Sequence, residues 1–269
     1  MPNFTVMVIY LSKLKRCILF FALSGFAACA QNSASESVKL QNSQITQTQK
    51  MKVGIWSDVM CPFCYIGKRK FEAALSNFKN KENIEIVWKS FQLNPSLKTD
   101  PSKNTLQHLS ESKGWTMDYT RETVAYVTNM AKEVGLSYDF DKAVVANSFD
   151  AHRLIQMAKK TGKGDAAEEQ LFKAYFTEGK NTADHPTLIA LGKEIGLDEN
   201  EVKKMLAGTE FSNEVVSDLS EAEKIGVSGV PFFVFDRKYA VSGAQDSKVF
   251  LDTLTKAWQN FQGVSSQNK

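Results

Sequence analysis

Two thiols three residues apart can hold a metal, staple a loop or exchange electrons. Cys61-Pro62-Phe63-Cys64 offers such a pair. A zinc site takes four ligands, or three and a water. The only other cysteines, Cys17 and Cys29, fall in the first thirty residues, and His108, His152 and His185 stand singly, so no metal site is expected. A structural disulfide fits poorly as well, because closing so short a loop removes little entropy from the unfolded chain. Redox exchange suits the placement best. The pair follows an apolar stretch and opens a helical pattern, so Cys61 should stand at the helix start. There, unpaired N–H groups and the positive end of the dipole favour a thiolate. Cys64, one turn on, can resolve a mixed disulfide made at Cys61. The expectation is therefore an exposed, attacking Cys61 and a shielded, resolving Cys64.

A second stretch bears on the same chemistry. In "GVSGVPFFVF" (226–235), Val230-Pro231 directly precedes an apolar run. Proline cannot donate to a sheet ladder, so Pro231 should sit at the first position of a strand. An X–Pro bond in such a place can be cis, with an ordinary trans bond as the alternative. Asp58, three residues before Cys61, could move a proton or simply end a strand. Asn147, Asp150, His152 and Arg153 could line a cleft or form a solvated helix start. Phe63, Tyr65, Phe232 and Phe233 could form an apolar surface beside the cysteines or belong to the core.

The elements that must position these residues are legible in part. "MKVGIWS" (51–57) reads as a short buried strand. From Pro62 a helix is expected, with Tyr65, Phe71, Ala74, Leu75 and Phe78 on its apolar face. "NIEIVWKSF" (83–91) alternates Ile84, Ile86 and Trp88 against Glu85 and Lys89, as a strand does. Strand, helix and strand in about forty residues predict a βαβ unit with a parallel pair and right-handed crossover. After Asn94-Pro95 and Asp100-Pro101 the patterns become helical. Val127, Met130, Ala131 and Val134 form one face, and Ala151, Leu154, Ile155 and Ala158 another. Asp198 and Glu201 have capping-box spacing before a helix that should stop at Gly208. Strand returns at 230–241 as a hairpin about Asp236-Arg237-Lys238. A closing helix then presents Phe250, Leu251, Leu254, Trp258 and Phe261.

The chain has 269 residues, 43% of them hydrophobic and 11% aromatic, enough for a sizeable core. Its net charge is +3, and the three excess cations, Lys13, Lys15 and Arg16, all lie near the N-terminus. The remainder is balanced and holds no long basic run, so no nucleic-acid partner is expected. Those three cations precede "CILFFALSGF" (17–26), a combination that reads as an export signal. Two endings overlap. Ala28-Cys29-Ala30 fits signal cleavage, which would release a soluble product. "FAAC" (26–29) resembles a bacterial lipoprotein box, with Cys29 as the lipidated residue. The lipoprotein reading is preferred, and a lipid at Cys29 is the only membrane attachment expected. Residues 30–50 are polar, with thirteen of twenty-one Gln, Asn, Ser or Thr. Such a stretch cannot offset its ordering entropy, and it should act as a tether of about 25 Å r.m.s..

Taken in order, "SDVMCPFCYIGKRKFE", "FQLNP" (91–95), "NSFDAHRL" (147–154) and "GVSGVPFFVF" resemble DsbA-type thioredoxin-fold proteins, and within them the FrnE branch. That branch is related to 2-hydroxychromene-2-carboxylate isomerases and kappa-class glutathione transferases. The resemblance covers about 51–262. It implies an α/β thioredoxin fold with a helical insertion domain, divided as 51–94 and 213–262 for the two parts of the thioredoxin-like domain and 95–212 for the insertion. Residues 1–28 would then be the signal, 29–50 the tether and 263–269 a disordered tail. It further implies Cys61 as nucleophile and Cys64 as resolving thiol, with Val230-Pro231 as a cis-proline loop aligning an extended substrate segment. Phe63 would add to that substrate surface. The isomerase relatives carry serine where this chain has Cys61. The function expected is that of an exported thiol–disulfide oxidoreductase in a bacterial cell envelope, lipid-anchored in the periplasm, with a soluble periplasmic or secreted enzyme as the alternative. It would act on protein thiols or disulfides, with glutathione a second candidate, and would rely on a separate redox partner but no bound cofactor. A glutathione-dependent isomerase or transferase on the same fold is the alternative, and a non-catalytic binding or chaperone module the second.

Overall fold

A computed structural model of the chain describes residues 49–267. Strand β1 (Met51–Ser57) is followed by helix α1 (Pro62–Ser76), a short 3-10 turn and strand β2 (Ile84–Ser90). β1 and β2 run parallel, with Val53 opposite Ile86 and Ile55 opposite Trp88. This is the expected βαβ unit. At the far end of the chain β5 (Phe232–Phe235) and β6 (Tyr239–Ser242) form the expected hairpin. Its turn holds Asp236 and Arg237 in the left-handed region. β5 pairs antiparallel with β1, giving the sheet order β2-β1-β5-β6.

Alternation along these strands decides what each face covers. Val53, Ile55, Phe233, Phe235 and Val241 point to one side, into a core with Phe71 of α1 and Phe250 and Leu254 of α9 (Ser247–Gln267). Phe71 meets the Phe233, Phe235 and Phe250 rings at centroid distances of 5.5, 6.1 and 5.7 Å. Burying one such side chain is worth roughly 1.5–3 kcal/mol. Trp56 points to the other side, where helix α8 (Ser212–Lys224) packs over it and the Trp56 indole N–H donates to the Asp218 carbonyl oxygen at 3.1 Å.

Between β2 and α8 lie β3 (Asp100–Asn104), α2 (Thr105–Lys113), α3 (Met117–Glu133), β4 (Val144–Val145), α4 (Phe149–Lys159), α5 (Gly164–Phe176), α6 (His185–Glu194) and α7 (Glu199–Ala207). α7 begins where expected, the Asp198 carboxylate accepting from the Asn200 and Glu201 N–H groups, and ends at Gly208. The block differs from the wholly helical pattern in one respect: β3 and β4 pair as a small antiparallel ladder with an irregular register. Pro101 is tolerated in it because a two-stranded ribbon leaves each strand an unpaired edge. Leu154, Ile155, Leu171, Leu188, Val202 and Met205 of these helices join the core of the sheet. α9 also runs on to Gln267, past the point where a disordered tail is expected. No proline interrupts its hydrogen-bond ladder there.

Candidate active site

Cys61 is the N-cap of α1, in extended backbone (φ −91°, ψ 113°), and Pro62 occupies the first helical turn. A hydrogen bond from Cys61 N–H to the Asp58 carbonyl oxygen (2.9 Å) closes the turn that leads in. The first turn of α1 carries no acidic side chain, so nothing there offsets the attraction of its N–H groups for a thiolate. Both thiols are free. Cys64 is buried, as expected. Cys61 corrects the expectation, for at 4% exposed it is buried nearly as deeply as Cys64 at 1%. The reason is the opposing loop: the Cys61 thiol donates to the Val230 carbonyl oxygen at 3.5 Å. The Val230–Pro231 bond is cis, and Pro231 in turn accepts from the Gly243 N–H at 2.8 Å.

The two sulfurs do not share one environment. Burial pushes the Cys64 thiol well above its ordinary value, and its neighbour Cys61 pushes it further, while the Asp58 N–H and the Ser57 hydroxyl pull weakly the other way. Tyr138, from the segment after α3, reaches over and donates its hydroxyl to the Pro62 carbonyl oxygen at 2.7 Å. Burial holds that phenol neutral, reinforced by the field of Cys61. Tyr138 belongs to a stack of rings, with Phe176 at 4.7 Å and Tyr65 at 6.1 Å, that joins the insertion to α1.

The remaining expectations separate. Phe63 is 37% exposed and stands beside the thiols as surface, whereas Tyr65 and Phe233 are core and Phe232 lies on the opposite face of the sheet, near Trp56. The Tyr65 hydroxyl donates to Glu169 of α5 at 2.6 Å, and Arg69 clamps the same carboxylate. Although burial raises the Glu169 carboxyl, Arg69, Tyr65 and Lys68 outweigh it and bring it down to about 2. Asn147, Asp150 and Arg153 do not line the site. Asn147 donates to the Pro95 and Leu97 carbonyl oxygens and so fastens the segment after β2. Arg153 is buried and caps the end of α7 through the Met205 and Gly208 carbonyl oxygens, with Asp150 as its ion partner. Arg153 is packed inward among the apolar residues of α4, whereas Asn147 and Asp150 are half-buried at the helix start.

Beneath the cysteines is a buried polar layer. Asp58, 2% exposed, accepts from Met60 N–H (3.3 Å) and Leu93 N–H (2.8 Å), tying the entry to α1 to the segment after β2. His152 of α4 is wholly buried, with its Nε2 3.5 Å from Asp58 Oδ1. That contact has the length of an ion pair but not the alignment of a hydrogen bond, and neither ring nitrogen has a hydrogen-bond partner. Glu168 of α5 is buried with both carboxyl oxygens unpartnered, and burial raises its pKa to about 8. Sequence reasoning passed over Tyr138 and Glu168. Glu168 had a usable signal, since it shares an i, i+3, i+4, i+7 face with Leu171, Phe172 and Tyr175. Tyr138 had none. Cys29 lies outside the described residues.

Comparison with known proteins identifies the family and the fold. The model of the DSBA-like thioredoxin domain matches residues 52–255. The crystal structure of a probable DsbA oxidoreductase, SCO1869 from Streptomyces coelicolor, is 36% identical and superposes with a TM-score of 0.75, covering 78% of this chain and 90% of that one. The cytosolic disulfide reductase DsbM from Pseudomonas aeruginosa, solved with glutathione, shares the fold at 18% identity and a TM-score of 0.52, over 80% of this chain and 99% of its own. Among curated proteins, the uncharacterized YwbO of Bacillus subtilis is 27% identical over 200 residues, 74% of this chain and 92% of that protein. The chain belongs to the DSBA-like thioredoxin-domain family of thiol–disulfide oxidoreductases.

Proposed function

We propose that the chain is an exported enzyme that exchanges disulfides with protein substrates through Cys61 and Cys64. The observation that carries this reading is the position of Cys61, at the N-cap of α1 with its thiol 3.5 Å from the Val230 carbonyl oxygen. A Cys61 thiolate attacks one sulfur of a substrate disulfide. That S–S bond breaks, a Cys61–substrate disulfide forms, and the other substrate sulfur leaves as a thiolate. Cys64 then gives up its proton and attacks Cys61 Sγ. The second substrate thiol departs, and the Cys61–Cys64 disulfide remains. Two electrons have passed from enzyme to substrate, and a separate redox partner must return them. Run in reverse, the same steps oxidise a dithiol. Displacing the Cys61 thiol from Val230 frees a main-chain acceptor for an extended segment, and exposed Phe63 adds apolar contact area.

Glutathione is a second candidate thiol, supported by a protein of the same fold crystallised with it. A glutathione-dependent isomerase is the less favoured reading, because its relatives carry serine at the position of Cys61. Export, lipid attachment at Cys29 and a periplasmic address rest on the residue 1–50 pattern. Among the described residues no helix is long and apolar enough to cross a membrane.

Catalysed reduction of insulin by dithiothreitol tests the reading. Wild-type protein should accelerate precipitation of the freed chains, and Cys61→Ser should abolish the effect. Turnover of a hydroxychromene substrate with glutathione, in place of insulin reduction, would favour the isomerase. Stoichiometric holding of unfolded protein that survives Cys61→Ser would favour a chaperone.

A further inference from the structure

The two faces of the four-stranded sheet are not equally covered. Val53, Ile55, Phe233, Phe235 and Val241 face α1 and α9. The alternate residues face the other way: Gly54 and Trp56 of β1, Val87 of β2, Phe232 and Val234 of β5 and Ala240 of β6. On that side α8 packs against β2 and closes over Trp56. Toward β6 it leaves a cavity of about 380 Å³, with the end of α8 as one wall and the β5–β6 turn as the other. Sites for small organic ligands run from about 300 to 1,000 Å³, so this one has room for a molecule of one or two rings.

Two features make this more than a gap in packing. The first is the floor. Residue 54 is a glycine inside a strand, where glycine is ordinarily unfavourable and often marks a close approach. A Cβ there would stand 3.4 Å from Trp56 Cζ3, so the indole lies across the bare backbone of Gly54. Its N–H donates to the Asp218 carbonyl oxygen at 3.1 Å, which fixes the ring. Trp56 and Phe232, paired across β1 and β5, give an aromatic floor that a guest can stack on without first ordering it. The second feature is the rim. Lys52, Lys89, Lys224, Arg237 and Lys238 line the cavity, against one carboxylate, Glu221. Nearby carboxylates answer part of that charge. Glu85 pairs with Lys52, Asp236 with Lys238, and Asp218 and Glu221 with Lys89. Arg237 has a share in that same Glu221, at 3.1 Å. Lys224, in the last turn of α8, has no ion partner among the described residues. Positive charge is therefore left over on both walls.

We propose that this cavity binds a small aromatic carboxylate, its rings on Trp56 and Phe232 and its acid group toward Lys224 and Arg237. The floor is on the side of the sheet turned away from α1, so the site is distinct from the thiols. The proposal stands whether or not disulfide exchange is the activity. A second copy of the chain is the poorer occupant, because a two-fold contact would set these cations against themselves. An alkyl acid is poorer too, because it forgoes the stacking that the floor offers.

Titration of the reduced wild-type protein with 2-naphthoate, followed by its amide and indole NMR signals, tests this. Shifts should saturate as for one site and centre on Gly54, Phe232, Val234 and the Trp56 indole N–H. 2-Naphthylmethanol, the same rings without the charge, should bind roughly three- to ten-fold more weakly, and added salt should narrow the difference. Octanoate, the charge without the rings, should also bind more weakly. Lys224→Glu, a change at an exposed side chain, should weaken 2-naphthoate by a similar factor and leave the alcohol nearly unaffected. Shifts that fail to saturate at millimolar 2-naphthoate would overturn the proposal. So would equal binding of acid and alcohol, a preference for octanoate, or shifts centred on Cys61 and Cys64. Shifts of the same signals on raising protein concentration without ligand would assign the face to a second copy and overturn it as well. Insulin reduction reports on the thiols alone, so failure there and failure here are separate results.

Discussion

Gly67 and Pro231 meet across the site: a Cβ on Gly67 would stand 2.9 Å from Pro231 Cγ. α1 can therefore lie against the proline loop only because residue 67 has no side chain. Alanine in a helix interior ordinarily stabilises by about 1 kcal/mol over glycine. Gly67→Ala should lose that gain or reverse it, and it should slow exchange by moving Val230 away from Cys61. A melting temperature raised by the full helical increment, with unchanged insulin reduction, would contradict this packing.

The two cysteines should react unequally with a limiting alkylating reagent. Cys64 is held protonated by burial and by its neighbour, whereas Cys61 stands at the helix N-terminus. Mapping the adduct should find Cys61. Preferential labelling of Cys64 would exchange their roles.

Glu168 should make stability depend on pH in a particular direction. Its folded pKa, about 8, lies above the ordinary 4.5. The folded state therefore binds more protons between those values, and the contribution to stability is full below the lower one and lost as pH rises through the higher. Glu168→Gln should stabilise the protein at neutral and alkaline pH by on the order of a few kcal/mol, and little in acid. Chemical denaturation at several pH values checks this. A variant curve parallel to wild type would show that the carboxyl is solvated.

Redox poise should fall between thioredoxin, about −270 mV, and DsbA, about −120 mV, and nearer the former. Cys61 stands at the helix N-terminus, but Phe63 between the thiols supplies neither charge nor donor and is partly exposed. Equilibration with glutathione buffers measures the potential, and Phe63→His should raise it. No upward shift would mean that the intervening dipeptide does not control poise here.

Cys29 is expected to carry lipid. Metabolic labelling with a fatty-acid analogue should mark the mature protein and be lost in Cys29→Ser. Absence of label together with a mature N-terminus at Gln31 would leave a soluble exported enzyme.

How much of this could be read beforehand depended on how local the signal was. β1, α1, β2 and the β5–β6 hairpin follow from alternation, periodicity and proline placement within short windows, and the proline loop could be paired with the cysteines by resemblance. The buried layer could not. His152 sits in "FDAHRL", where its polar neighbours suggest solvent, and only the packing of α4 between the sheet, α5 and α8 turns it inward. β3 escaped notice because "DPSKN" has no strand propensity and is ordered by β4 and its loop. Tyr138 meets Pro62 across 76 residues, a distance no local window spans.

The contact between Cys61 and Val230 joins positions 169 residues apart. Synthesis delivers the N-terminal end first. The thiols therefore emerge long before the loop that covers them, and β1 waits for β5 as its second neighbour until nearly nine-tenths of the chain is made. During that interval the pair has no gatekeeper. Any disulfide that meets the growing chain can oxidise it, so the enzyme's first redox event can precede its own completion.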